Sequence, residues 1–264
     1  MKEIRSESKF IWKLILNILL TPITLLQVIF KKKESKDLFQ PFTDIVKFIF
    51  EPKFTITIII VNIVIFISSG FFSEKLLYSL INYPSHLLNL RLYTLVTAGF
   101  LHANITHLVG NMIGLFIFGR VVERKLDTGK TALVYFGALI ISGLFSSLIH
   151  LFLLHDNIGG LGASGALMGL VATAVLLDPF YFTYELLIPL PVMVVGWLAI
   201  YADIIGILNP VEDGIGHLAH IGGFISIALI MFLLGIEERS KLKKGLIINI
   251  ASLVIAVLIF YFVI

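Results

Sequence analysis

No cysteine occurs in the 264 residues, which removes disulfides, thiolate nucleophiles and cysteine-ligated metal centres and leaves the redox compartment open. Charge is scarce as well. Only 14% of residues are Asp, Glu, Lys or Arg, against 58% hydrophobic, and the mean hydropathy is +1.00. Soluble domains carry about 25% charged residues, so the composition excludes an ordinary soluble enzyme. Internal repeats are missing too, and with them the paired, inverted halves expected of a transporter. The net charge of +3 would suit nucleic acid. The basic residues, however, sit in short clusters between apolar runs, where they act as topology signals, and no nucleic-acid partner is expected.

What is present is a series of apolar stretches near the roughly 20 residues that cross about 30 Å of hydrocarbon. The class is therefore an all-α polytopic membrane protein, because only helices and closed barrels satisfy their backbone in lipid. Seven spans are expected, at 54–70, 103–121, 130–153, 163–178, 186–208, 215–235 and 246–264. Lys47 and Lys53 precede the first span. Arg120, Arg124, Lys125 and Lys130 follow the second, and Arg239, Lys241, Lys243 and Lys244 follow the sixth. All of these fall on one side, so the positive-inside rule predicts a cell-membrane protein with its N-terminus in the cytoplasm and its C-terminus outside.

Residues 10–30 are also apolar, but Lys2, Arg5, Lys9 and Lys13 precede them and KKKESK follows. A crossing would strand one basic cluster, so a helix lying in the interface is expected. Three segments result: an N-terminal extension (1–53), a six-helix core (54–235), and a linker with an added C-terminal span (236–264).

Polar groups inside such spans are costly and mark function. Spans two, four and six run in the same direction, and each carries one near its outer start: His107 with Asn111, then Ser164, then His217 with His220. At about 1.5 Å per residue, Ser164 stands roughly 21 Å above Asp178, His220 roughly 22 Å above Gly235 and His107 roughly 20 Å above Arg120. One hydroxyl and two imidazoles share a level. Span four has only about 16 residues, too few for a full crossing, so its start is expected to lie below the surface, at the floor of a wet cavity.

A serine hydroxyl becomes a nucleophile when an imidazole takes its proton, and the resulting oxyanion needs preorganised donors. Ser164 and His220 fit the first requirement. Asn111, His107 and the Ser164 backbone N–H fit the second. No carboxylate is expected beside His220, so the pair is read as a dyad. Gly162 allows a tight entry to span four, while Gly165 and Gly169 give it a face that span six, with Ala219 and Gly223, can approach closely. No cofactor or metal is expected, since His217 and His220 without a carboxylate neighbour make a poor ion site. Asp203, an acid inside span five, is read as lining the cavity. Pro189 and Pro191 are expected to kink or end the inner part of that span. His86, His150 and His155 are read as loop or interface residues.

FLHANITHLVGNM at 100–112, GASGALMGL at 162–170 and AHIGGF at 219–224 together resemble the rhomboid intramembrane serine proteases, in that family's order and spacing. The resemblance covers roughly 54–235. It implies Ser164 as nucleophile, His220 as base, and Asn111, His107 and the Ser164 N–H around the oxyanion, with His102 matching a further family histidine. It also implies substrates that are transmembrane segments of other proteins within the lipid bilayer. A catalytically inactive relative that only binds membrane proteins is the alternative, marked by loss of the Ser or His, which both stand here. Three positions depart from the family pattern: Thr94 stands where many members have Arg, Met168 where an aromatic is common, and Ile227 where Gly is common.

Overall fold

The computed structural model describes residues 7–183, 190–209 and 214–263. These form helices and connecting loops, with isolated backbone bridges at Asn82–Gly160 and Phe182–Pro191. The chain divides into two compact units, Met1–Lys53 and Phe54–Ile264.

The first unit holds α1 (Glu7–Leu19), α2 (Thr21–Ile29) and α3 (Ser35–Phe50). The expected single interfacial helix over 10–30 is therefore two helices, bent by 53° where Leu20 meets Thr21–Pro22. Proline lacks the N–H that a continuous helix needs but is tolerated in a first turn. Helix α3 begins with a capping box in which Glu34 N donates to Asp37 Oδ2 at 3.2 Å. Trp12, Phe30, Phe39 and Phe42 are exposed, as suits helices that lie against lipid.

The second unit contains α4 (Lys53–Ser69, its first residue at the boundary), the short loop helices α5 (Glu74–Leu80), α6 (Pro84–Leu88) and α7 (Thr94–Thr97), and then α8 (Ile105–Leu126) and α9 (Thr128–Leu154). It continues with α10 (Ser164–Leu177), α11 (Val192–Leu208), α12 (His217–Ile230) and α13 (Ile236–Val263). Helices α8, α9 and α13 are long and apolar enough to cross a membrane alone; α10, α11 and α12 are shorter apolar helices. Pro191 caps the start of α11 rather than kinking it, and Pro189 lies outside the described residues. The last helix starts at Ile236, so the stretch read as a linker is already helical.

Helix α10 is the centre. Ala166, Met168, Leu170, Val171, Ala172, Ala174 and Val175 are all buried, and a helix that is apolar all round belongs inside a bundle. It packs on α9, α11, α12 and α13. Its 14 residues rise roughly 21 Å, short of about 30 Å of hydrocarbon. Helix α13 closes on it at Gly245, where an added Cβ would strike the Leu176 carbonyl. Asn249 completes that joint, donating to Val175 O at 3.0 Å and accepting from Trp197 Nε1 at 3.0 Å.

At the opposite end of α10 from Ser164, polar groups pair off. Both carboxylate oxygens of Glu123 are taken, by Phe54 N, Thr55 N, Thr55 Oγ1 and Thr128 Oγ1 at 2.9–3.0 Å. They anchor the start of α4. Lys125 meets Asp178 at 2.6 Å.

Candidate active site

The site is assembled from four helix ends. Asn104 caps α8, its Oδ1 accepting from His107 N at 2.8 Å. That bond places His107 in the first turn and Asn111 one turn on, along the same face. Helix α10 starts at Ser164, and the chain reaches it through Gly162 at φ +114°, a backbone that side chains other than glycine adopt with strain. Gly162 N donates to Ala98 O at 2.9 Å. A Cβ at Gly162 would lie 2.6 Å from His107 Nε2 and 3.6 Å from Asn111 Nδ2. Both nitrogens thus converge on the backbone two residues before Ser164. Asn111 Nδ2 is buried with no hydrogen-bond partner. His102 packs edge-on against His107, ring centres 5.0 Å apart, and is itself buried with both nitrogens unpartnered.

Helices α10 and α12 touch beside Ser164 and His220. A Cβ on Gly223 would run into the Gly165 carbonyl and stand 3.2 Å from Met168 Cβ. Gly165 and Gly169 have a different first neighbour from the expected one: an added Cβ would strike Ser142 Oγ and Ala138 Cβ, both on α9. Helix α12 comes next, through Ala219 O at 3.6 Å and Gly223 O at 3.4 Å. The small-residue face therefore serves a three-helix junction. No hydrogen bond joins Ser164 Oγ to His220 among the described residues.

The expectation that no carboxylate stands beside His220 is corrected. Asp203, on α11 and buried, has one oxygen, Oδ1, lying 2.9 Å from His220 Nδ1 and 2.8 Å from His217 Nδ1. With the carboxylate ionised, each Nδ1–H donates to it, which leaves His220 Nε2 as an acceptor. Gly206, one turn further along α11, makes room for the His217 ring: a Cβ there would overlap the imidazole. Sequence flagged Asp203 as an acid in an apolar span. Nothing in the sequence showed that it meets both histidines across the loop between α11 and α12.

Over the site, the loop between α4 and α8 is tied down by Asn82, which sequence reading missed. Its backbone pairs with Gly160 in both directions, its Nδ2 donates to Ser147 Oγ at 2.9 Å, and its Oδ1 accepts from Thr94 Oγ1 at 3.3 Å. Thr94, standing where many family members have Arg, is thus a buried strut. His86 is buried in this loop rather than surface-facing, its ring 5.0 Å from Tyr78 and 5.4 Å from Tyr83. Burial holds its pKa below the usual histidine range. His150 ends α9 against Asp156 at 2.6 Å.

Helical throughout, apolar in its spans, and with a serine, histidines and an asparagine gathered at one end of the bundle, the chain is a multi-pass α-helical membrane protein. It belongs to the rhomboid family: the Rhomboid domain model matches residues 89–237, more than half of the chain. A mitochondrial rhomboid-like protein 12 of Arabidopsis thaliana is 30% identical over 167 residues, 58% of this chain and 48% of that protein. A chloroplastic rhomboid-like protein 11 of the same plant is 29% identical over 191 residues, 67% and 64% respectively. The rhomboid protease GlpG of Photorhabdus laumondii is 30% identical over 118 residues, 44% and 40%. The match thus spans about half to two thirds of the plant relatives' own length.

Proposed function

We propose that the chain is an intramembrane serine endopeptidase that cleaves transmembrane segments of other membrane proteins near the outer face of the bilayer. Ser164 Oγ attacks the scissile carbonyl carbon while its proton passes to His220 Nε2. The oxyanion is met by Asn111 Nδ2–H, the Ser164 N–H at the start of α10, and His107 when its Nε2 carries the proton. Collapse of the tetrahedral adduct expels the amine, which takes the proton from His220. Water then opens the acyl-enzyme with the same base.

The observation that carries this reading is the buried, unpartnered Asn111 amide converging with His107 on Gly162 beside Ser164. A buried donor without an acceptor costs about 1–3 kcal/mol, a strain expected where the missing acceptor is the developing oxyanion. Asp203 acts through His220 as a positioning residue, fixing the tautomer that accepts the serine proton. Two of the bacterial relatives, GlpG and the AarA of Providencia stuartii, are rhomboid proteases by name. The apolar groove of about 390 Å³ between α11 and α12, lined by Ile200, Ile204, Ile207, Ile221 and Phe224, offers a substrate helix a surface next to His220.

The test is labelling of purified full-length protein by a fluorophosphonate probe. A single adduct on Ser164 is expected, lost in Ser164→Ala and His220→Ala. Labelling that survives both substitutions overturns the mechanism. The core is assigned to residues 54–235 and the membrane to the cell surface, with the N-terminus cytoplasmic and the C-terminus exterior, because the basic loops lie on one side. A reporter fused after Lys36 should read cytoplasmic and one after Ile264 exterior; the reverse pair rejects this topology.

A further inference from the structure

Asp203, His217 and His220 each offer one ligand atom, and the three lie within 4.8 Å of one another, although the residues come from two helices. The carboxylate is buried and the two imidazoles nearly so, with side-chain exposures of 6%, 14% and 17%. Two neutral imidazoles and one carboxylate, converging from one side, are a mixed N/O donor set suited to a first-row divalent ion such as Zn²⁺, with a position left open. Gly206 supplies the space that lets the His217 ring face Asp203 at all. The proposed catalysis does not use His217, yet it is held as closely to Asp203 as His220 is.

We infer that Asp203, His217 and His220 form an inhibitory site for a divalent transition-metal ion, occupied in competition with catalysis. The inference rests on the reading of His220 as the base. Its logic is one of tautomers. For catalysis His220 needs a proton on Nδ1, donated to Asp203, and a lone pair on Nε2 for Ser164. A metal ion at Nδ1 coordinates the Nδ1 lone pair, so the ring's one proton must sit on Nε2, where it occupies the lone pair that Ser164 needs. The imidazole is then a donor towards Ser164 and cannot accept its proton. Binding needs no net proton release, since the carboxylate is already ionised and each imidazole only exchanges tautomers. An ion about 2.0–2.2 Å from each donor requires Asp203 Oδ1, which now lies 2.8 and 2.9 Å from the two Nδ1 atoms, to draw back so that the ion stands between it and the rings.

The experiment uses the full chain in detergent, stripped by a chelator and titrated with Co²⁺ and Zn²⁺. Calorimetry should give one ion per chain, and Co²⁺ should show the visible ligand-field bands of bound N/O donors. Ser164→Ala should bind the ion as tightly as the unaltered chain. Asp203→Asn and His217→Gln, each checked for an unchanged circular dichroism spectrum, should weaken binding by more than the roughly 10–100-fold typical of losing a mere outer-shell partner. Fluorophosphonate labelling of Ser164 should slow in proportion to Zn²⁺ occupancy and recover on adding chelator. The midpoint for this slowing, scaled to each variant's own metal-free rate, should rise in His217→Gln. The inference is overturned by absence of binding, by binding that both variants leave intact, or by a saturated site at which Ser164 still labels at full rate. Failure of the protease reading looks different: Ser164 would not label even in chelator, while the Co²⁺ bands would persist.

Discussion

The two ends of the bundle around α10 differ in what their carboxylate, amide and imidazole groups meet. At the end holding Arg124, Lys125 and Lys130, Glu123 fills both carboxylate oxygens with four donors and Lys125 meets Asp178. At the Ser164 end, Asn111 Nδ2 and both nitrogens of His102 are buried with nothing to bond, and Asp203 shares one oxygen between two histidines. Saturated polar groups hold helices in place. Buried side-chain atoms without a partner also occur elsewhere, the Tyr181 hydroxyl beside Asp178 among them, so what marks the Ser164 end is the convergence of the Asn111 amide and His107 on Gly162.

Breaking the site end should cost activity rather than stability. The largest effect is expected from Ser164→Ala, which removes the nucleophile at a helix start that accepts small residues. Cleavage of a model transmembrane substrate should fall by about 10⁴-fold or more, leaving only residual catalysis, with an unchanged melting curve. Asn111→Ala comes next, at roughly 10²–10³ in turnover, the effect of deleting one oxyanion donor. It should also leave stability unchanged or raised, since a buried unpaired amide disappears. An untouched turnover would return Asn111 to the scaffold.

Asp203 sharpens the comparison, because it is satisfied yet lies at the active end. Asp203→Leu should lower kcat by about tenfold to 10²-fold with little change in KM, below the roughly 10²–10⁴ that a general base contributes. Asp203→Glu should restore part of the loss, which a packing defect would not permit. His217→Ala, removing the competitor for the same oxygen, should keep at least about a tenth of the rate. A loss as deep as that of His220→Ala would assign His217 to the chemistry itself.

The smallest effect on turnover is expected at the saturated end. Glu123→Ala strips the partners from Phe54 N, Thr55 and Thr128 and should destabilise the fold by about 1–3 kcal/mol. Thermal denaturation in detergent would read that shift. Activity per folded molecule should stay the same, and a selective loss of kcat would erase the distinction between the ends.

Much of this was legible in the order of residues. Apolar runs placed the starts of five spans closely, span four, expected at residue 163, beginning at Ser164, but the helix expected from 186 begins at Val192 and the one expected from 246 begins at Ile236. The brevity of span four was legible too, the helix having 14 residues. The N-terminal apolar segment was less legible, because hydropathy does not measure the 53° bend that Pro22 introduces. The glycine face of α10 was visible, but its first neighbour was not: sequence spacing shows that a face is small without showing which helix fills it. Asn82 was illegible, being a loop residue whose partners Gly160, Ser147 and Thr94 come from three separate segments.

The sequence by itself determined the solvent, the rough extent of the apolar runs, and the residue types able to do chemistry. Those follow from local hydropathy and from functional groups that each residue carries regardless of its neighbours. Tertiary structure alone decided which groups meet. Asp203 and His220 stand 17 residues apart, on separate helices, and no periodicity relates positions across such a break. Only the packing of α11 on α12, with Gly206 opening a space for the His217 ring, brings one carboxylate oxygen within hydrogen-bond reach of both imidazoles.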